Sequence, residues 1–173
     1  PSPPLFRSTL TVRGISDQPM KKVATPGIKT IEQLERLFEL PAHCFLKTVV
    51  YAADGSLVVA VLRGDQMVHE IKLGRAVGHE LRLASDEELK RAGIHAGFVS
   101  PIGLKNIRVI VDDTITANVS YIAGANELDT HLENVVFGRD FTADSLADIA
   151  EVQPGAPCVR CGEPLEIRRG IEV

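Results

Sequence analysis

Residues 45–63 have the sequence FLKTVVYAADGSLVVAVLR, in which two runs of branched and apolar residues flank the dipeptide Asp54-Gly55. Branched and aromatic side chains favour strands, and Asp-Gly favours the tight turn of a hairpin. The stretch therefore predicts two adjacent antiparallel strands, residues 45–52 and 56–63. We expect the rest of the fold to be arranged around this hairpin.

Helix signals lie on both sides of the hairpin. Thr30 with Gln33, and Ser85 with Glu88, have the spacing of a capping box, which satisfies the free N–H groups at a helix start. Apolar residues recur on one helical face after Thr30, until Pro41 stops the pattern. Two helices that pack against the sheet are predicted.

Further strands are predicted along the second half of the chain. The nearly continuous apolar run at 107–111 favours a central strand. Residues 67–73 and 80–84 fit short elements, and 115–122 and 132–137 fit strand or helix pieces. The predicted fold class is mixed α/β, with a central, mixed and largely antiparallel sheet flanked by helices.

Composition limits the classes of function. The chain has 173 residues, of which 45% are hydrophobic, so it can bury one sizeable core. No stretch approaches the roughly 20 apolar residues of a membrane span, so we expect no membrane contact and a cytoplasmic location. The net charge of -4 argues against the broad electropositive surface of a free-standing nucleic-acid binder.

Cysteines offer a weak metal signal. Cys158 and Cys161 have zinc-knuckle spacing, but a tetrahedral site needs four ligands. Cys44 and the distant histidines lack the paired spacing that would complete the set. The sequence therefore predicts reduced thiols and no required metal.

Lys47 is the most informative single residue, because it interrupts an apolar strand on the face of Phe45 and Val49. It could protect the exposed edge of a sheet, or it could place a cation at the floor of a pocket, near a phosphate or a substrate carbonyl. The pattern alone gives the two interpretations even weight.

Three other features could serve either chemistry or architecture. Asp112 ends the apolar strand and could accept a substrate ammonium or pair with Lys47, or it could form a turn. His131 could orient a substrate or water, or pack in the interior. The loop at 97–101, with the sequence GFVSP, could offer N–H groups to an oxyanion, or be a simple turn. No Gly-x-Ser-x-Gly elbow, phosphate-binding loop or dinucleotide fingerprint accompanies them.

Several stretches together resemble the editing (insertion) domain of bacterial-type prolyl-tRNA synthetases, part of the wider YbaK-type family of aminoacyl-tRNA deacylases. The stretches that carry the resemblance are VATPG at 23–27, TIE at 30–32, FLKT at 45–48, LRGD at 62–65, GFVSP at 97–101 and AGAN at 123–126, followed by His131. Residues 165–173 (LEIRRGIEV) resemble the strand by which such synthetases return to their catalytic core. We therefore expect a piece of a larger enzyme.

The resemblance implies a barrel-like editing domain at 25–152, preceded by a connecting strap at 1–24 and followed by a junction with the synthetase core at 153–173. It implies hydrolysis of alanine wrongly esterified to proline tRNA, assisted by backbone N–H groups and the substrate. No cofactor is expected for editing, since ATP serves only the aminoacylation site. The implied catalytic residues are Lys47, Gly97 and Pro101, and the implied substrate-binding residues are Thr25, Phe98, Val99, Ser100, Asp112 and His131.

The implied partners are the aminoacylated end of proline tRNA and the remainder of a synthetase that is a homodimer. Two other functions stay open from the sequence. One is a deacylase for cysteine or serine esters, which pocket volume would decide. The other is a non-catalytic RNA-binding or assembly module that has kept the fold.

Overall fold

The strands of the chain form two β-sheets with short helices around them. The computed structural model describes residues 17–117, 119–156, 158, 160–166, 168 and 170. The strands are β1 (Lys21–Ala24), β2 (Leu46–Ala53), β3 (Ser56–Arg63), β4 (Arg82–Leu83), β5 (Arg108–Asp112), β6 (Ser120–Gly124), β7 (Thr130–Val136) and β8 (Ser145–Ala147). The helices are α1 (Ile31–Phe38), α2 (Glu70–Val77) and α3 (Asp86–Arg91), and a 3-10 helix covers Ala42–Cys44.

The larger sheet has the strand order β4-β2-β3-β5-β8. Strands β2 and β3 are the predicted antiparallel hairpin, and both turn residues have positive φ, 46° at Asp54 and 75° at Gly55. This type of two-residue hairpin turn requires positive φ at both turn residues, and the Asp-Gly dipeptide tolerates these angles. Strand β5 runs parallel to β3 and to β8, and its interior place agrees with its apolar sequence.

The smaller sheet has the strand order β1-β7-β6 and is antiparallel. A single parallel bridge between Phe45 and Ile122 links it to the start of β2. The predicted mixed α/β class with mixed, largely antiparallel pairing is confirmed. The strands divide between two sheets, and a barrel-like closure stays a prediction.

The main apolar cluster joins both sheets. It includes Val59 and Val111 from the larger sheet and Tyr121 and Val135 from the smaller one, all nearly or fully buried. A second cluster lies on the other face of the larger sheet, where Leu73 of α2 packs. The two faces of β2 therefore serve different cores, and its side chains alternate between them.

Both predicted capping boxes are present. The Thr30 side chain accepts a hydrogen bond from the N–H of Gln33 at 3.3 Å, and Ser85 accepts one from Glu88 at the same distance. Helix α1 ends at Phe38, two residues before the sequence predicted, because Glu39 takes a left-handed conformation with φ of 53°. The Thr30 cap directs the first turn of α1 towards the site described below.

Two short strands were not predicted. Strand β1 lies in the segment assigned to a connecting strap, and β8 follows a polar loop. Each pairs at a sheet edge with a distant strand, so its own sequence carries little signal. Residues 1–16 of the strap and 171–173 of the junction lie outside the described residues, and the domain boundaries stay predictions. Within the described part, no helix has the length and apolar character needed to cross a membrane.

Candidate functional site

A cavity of about 540 Å³ lies where α1, the start of β2, the 97–101 loop and the smaller sheet meet. This volume is within the range of small-molecule binding sites, about 300–1,000 Å³. The cavity brings together residues that are far apart in sequence. Its walls include Ile31, Leu46, Lys47, Gly97, Val99 and His131.

Lys47 lies near the start of β2, where it pairs with Leu62 of β3. Among the described residues, β4 pairs with β2 at Tyr51 and Ala52 and does not reach Lys47, so the edge-strand interpretation stays a prediction beside the pocket interpretation. The side chain is half-buried, and its Nζ donates a hydrogen bond to the carbonyl oxygen of Gln66 at 2.7 Å. Burial lowers the pKa of this amine, while the carboxylates of Glu32 and Asp65 act in the opposite direction. Lys47 thus places an anchored cation in the cavity wall.

His131 lies on β7 and is buried, with one side lining the cavity. Its Nδ1 is 2.6 Å from Oγ1 of Thr25, and its ring meets Phe98 edge-on, with centroids 5.6 Å apart. Burial lowers the pKa of His131, which favours the neutral imidazole. Thr25 is itself fully buried behind the ring, so it orients His131 and lies away from the cavity surface.

The 97–101 loop presents fewer N–H groups than its length suggests. Gly97 has φ of 87°, a conformation that favours glycine. The N–H of Phe98 donates to the His95 carbonyl at 3.1 Å, and the N–H of Ser100 donates to Oδ1 of Asn126 at 2.8 Å. Pro101 has no N–H. Among the residues that the structure describes, the N–H groups of Gly97 and Val99 donate no hydrogen bond, so these two are available to a ligand.

The sequence interpretation missed the roles of Gly124 and Asn126, which were part of the resemblance without an assigned function. A Cβ on Gly124 would lie 2.3 Å from the Phe98 carbonyl oxygen, so only glycine fits there. Asn126 has φ of 55°, and its Nδ2 donates to the carbonyl of Ile102 at 2.8 Å. The turn after β6 therefore packs directly on the 97–101 loop. The sequence did contain one sign of this turn, a glycine and an asparagine two residues apart, because both residue types accept left-handed backbone conformations.

Asp112 lies outside this cavity. It is fully buried at the end of β5, where its carboxylate accepts hydrogen bonds from the Thr114 hydroxyl at 2.6 Å and from the N–H of Ile149 at 3.0 Å. The structure therefore does not bring Asp112 together with Lys47 and His131. Its observed contacts join the end of β5 to the segment that follows β8.

The described residues contain no group of three or more His, Cys, Asp or Glu side chains that could hold a metal ion. Cys158 and Cys161 lie in a small hairpin, where the N–H of Cys158 donates to the Glu163 carbonyl at 2.8 Å. Hydrogen bonds from the backbone of Arg160 and Cys161 lower the pKa of the Cys158 thiol. That editing needs no metal stays a prediction.

Comparison with known proteins identifies the class. The sequence model of the aminoacyl-tRNA editing domain matches residues 25–141, which include the cavity residues described above. The chain belongs to this family of aminoacyl-tRNA editing domains.

The particular relatives are proline--tRNA ligases. One from Dehalococcoides mccartyi is 48% identical over 155 residues, which is 89% of this chain and 27% of that ligase. Another, from Thermoanaerobacter pseudethanolicus, is 44% identical over 160 residues, 90% of this chain and 28% of the ligase. The chain thus spans little more than a quarter of the length of these relatives, and the resemblance seen in the sequence is confirmed.

A solved structure agrees at the level of fold. The crystal structure of a candidate trans-editing enzyme for prolyl tRNA synthetase has a TM-score of 0.64 and 19% sequence identity to this chain. The match covers 77% of this chain and 87% of that protein. At this identity the likeness establishes shared architecture.

Proposed function

We propose that the chain is the cis-acting editing domain of a prolyl-tRNA synthetase, and that it hydrolyses the ester of alanine attached to proline tRNA. The observation that carries this proposal is that Lys47, His131, Gly97 and Val99 line one cavity, and that the N–H groups of Gly97 and Val99 make no hydrogen bond within the described part of the chain. The similarity to proline--tRNA ligases supports the choice of proline tRNA as the substrate carrier and of a prolyl-tRNA synthetase as the parent enzyme.

The reaction needs no nucleophile from the protein. The oxygen of a water molecule attacks the ester carbonyl carbon, and the carbonyl oxygen becomes an oxyanion. The N–H groups of Gly97 and Val99 donate hydrogen bonds to that oxyanion and stabilise it. The oxyanion then re-forms the carbonyl, the ester C–O bond breaks, and the ribose oxygen takes up the proton that the attacking water gives up, which releases alanine and the free tRNA end. The neighbouring ribose hydroxyl directs the water.

Lys47 contacts the terminal phosphate of the tRNA or shapes the pocket floor. Its hydrogen bond to the Gln66 carbonyl holds the amine in place before the substrate arrives, which reduces the ordering cost of binding. A lysine amine is a compact point charge and suits a single phosphate oxygen.

His131 limits and orients the amino acid. Its ring is held by Thr25 and Phe98, so it forms a rigid wall that a larger side chain cannot displace. A proline-activating site rejects alanine weakly, because each missing methylene removes only about 1–3 kcal/mol of binding. A second pocket that admits alanine and excludes proline restores the selectivity. Asp112 has no part in this proposal, since its carboxylate is engaged elsewhere.

The tRNA partner requires help from the parent enzyme. The net charge of -4 gives the chain little affinity of its own for a polyanion. Tethering to a synthetase that already holds the tRNA raises the effective concentration of the aminoacyl end. We propose a cytoplasmic, homodimeric parent that uses ATP only at its aminoacylation site.

The test is deacylation of alanyl and prolyl esters on the same proline tRNA by the 173-residue chain. We expect faster release of alanine than of proline. Seryl and cysteinyl esters in parallel distinguish the other small-residue deacylases. If no ester is cleaved, either alone or when the chain is part of the full synthetase, the proposal is wrong and a binding role replaces it.

A further inference from the structure

Asn126 makes four hydrogen bonds to the loop that contains the catalytic N–H groups. Its backbone N–H donates to the Phe98 carbonyl at 2.9 Å, and its Oδ1 accepts from the N–H of Ser100 at 2.8 Å. Its Nδ2 donates to the carbonyls of Ser100, at 3.2 Å, and of Ile102, at 2.8 Å. The side chain of Asn126 therefore binds both a backbone N–H group and backbone carbonyl groups of the loop.

These bonds determine which N–H groups of the loop stay free. A trans peptide is planar, with its C=O and N–H pointing in opposite directions. Because the Phe98 carbonyl points at Asn126, the N–H of Val99 points away from the turn that contains Asn126. The N–H of Ser100 is already used by Oδ1. Asn126 thus selects Val99 as a donor and removes Ser100 from that role.

Asparagine meets two requirements at this position. The backbone φ is 55°, a left-handed value that asparagine adopts more readily than most residues. The side chain must also accept one hydrogen bond and donate two, which an amide does. Glycine would meet only the first requirement, and aspartate would lack the donors. Gly124 adds to the constraint, because its missing Cβ lets β6 touch the Phe98 carbonyl.

We propose that Asn126 is a positioning residue for hydrolysis, which aligns the N–H of Val99, together with that of Gly97, with the ester carbonyl. This inference rests on the proposed function. It assigns a specific role to a residue that lies behind the loop and is absent from the cavity wall.

The first test is the kinetics of Asn126→Gly, which removes the side chain but suits the backbone angle. We expect kcat for the alanyl ester to fall at least about tenfold, because misplaced donors stabilise the oxyanion poorly, while KM changes by less than about threefold. Asn106→Gly is the matched control, since Asn106 is exposed and has φ of 58°. The control should retain the wild-type rate.

A second measurement follows the hydrogen bonds between Asn126 and the loop, and it does not depend on catalysis. Amide hydrogen exchange should show protection of the Ser100 N–H in the wild type and loss of that protection in Asn126→Gly. The protection of N–H groups in the β-strands should stay unchanged. If the glycine variant does not fold, Asn126→Asp replaces it, because aspartate keeps the Oδ1 acceptor and loses both Nδ2 donors. Protection of the Ser100 N–H should then persist while kcat falls, and an unchanged kcat would overturn the role of Asn126.

The outcomes separate the two proposals. A wild-type chain that cleaves alanyl ester, with equal kcat in Asn126→Gly, overturns the role of Asn126 and leaves the proposed function standing. Unchanged Ser100 protection in Asn126→Gly also overturns it. A wild type without deacylase activity, alone and within the synthetase, overturns the proposed function and this inference with it.

Discussion

The hydroxyl of Thr25 and Nδ1 of His131 lie 2.6 Å apart in a buried contact that joins the segment after β1 to strand β7. The backbone reinforces this contact, because Val23 pairs with His131 and Ala24 with Thr130. The imidazole is held from one side by the hydroxyl and from another by the ring of Phe98. A neutral, oriented histidine in the cavity wall is the result.

This geometry predicts a pH dependence of stability. Burial lowers the pKa of His131 below its ordinary value of 6.5, so the unfolded chain binds this proton more readily than the folded one. The contribution of neutral His131 to the free energy of unfolding is therefore fully present above about pH 6.5 and is lost as the pH falls below that value. We expect the melting temperature to fall from pH 7.5 to 5.5, and to fall less in His131→Asn. Equal shifts in both proteins would show that His131 does not titrate on unfolding.

The sequence predicted the elements whose signals are local. The Asp54-Gly55 turn, the Thr30 and Ser85 caps and the apolar run of β5 each carry their own physical reason, and each is present. Strands β1 and β8 are not predictable in this way, because three or four residues at a sheet edge gain their structure from a distant partner. The division of strands between two sheets also depends on tertiary packing.

The cavity residues were predictable mainly through the family resemblance. Pattern alone leaves Lys47 evenly balanced between two interpretations, and its place in the cavity wall supports the pocket interpretation. Asp112 seemed equivalent to His131 in sequence, but only His131 faces the cavity. The sequence assigns no function to Asn126, because its side-chain hydrogen bonds join residues more than 20 positions apart, and spacing in the sequence does not show such contacts.

Lys47→Ala is predicted to alter amino-acid selectivity. Removing the long side chain from the cavity wall opens space, so the prolyl ester should be cleaved about tenfold faster relative to the alanyl ester. The measurement is the ratio of the two deacylation rates on proline tRNA. Lys72→Ala is a matched control, because Lys72 also donates to a backbone carbonyl, that of Ala150 at 2.8 Å, but lies outside the cavity. Unchanged ratios in both variants would remove Lys47 from substrate selection.

Gly124→Ala is predicted to disrupt the site and the fold together. The new Cβ would meet two backbone oxygens, at 2.3 Å from Phe98 and 2.6 Å from Val99, and backbone atoms cannot move aside as a flexible side chain would. We expect a loss of about 1–3 kcal/mol in the free energy of unfolding and at least a tenfold loss of deacylation. Chemical denaturation measures the first quantity. Gly170→Ala, where a Cβ meets nothing within 4 Å, should leave both unchanged.

Two threonines near the cavity should respond in opposite ways to loss of the hydroxyl. Oγ1 of Thr48 is buried and has no hydrogen-bond partner among the described residues, whereas Oγ1 of Thr25 contacts His131. An unpaired buried hydroxyl costs about 1–3 kcal/mol, and valine keeps the shape and the strand preference without that cost. Thr48→Val should therefore be as stable as the wild type or more stable, by up to about 1 kcal/mol.

Thr25→Val should instead lose about 1–2 kcal/mol, because it leaves the buried imidazole nitrogen without its partner. Ser120→Ala extends the comparison, since Oγ of Ser120 is also buried and unpaired within the described part of the chain. Urea denaturation of the three variants checks the order. A Thr48→Val variant that loses as much stability as Thr25→Val would mean that the Thr48 hydroxyl is satisfied in solution, by an ordered water or a rotated side chain. The difference between the two threonines would then reflect local packing instead of hydrogen bonding.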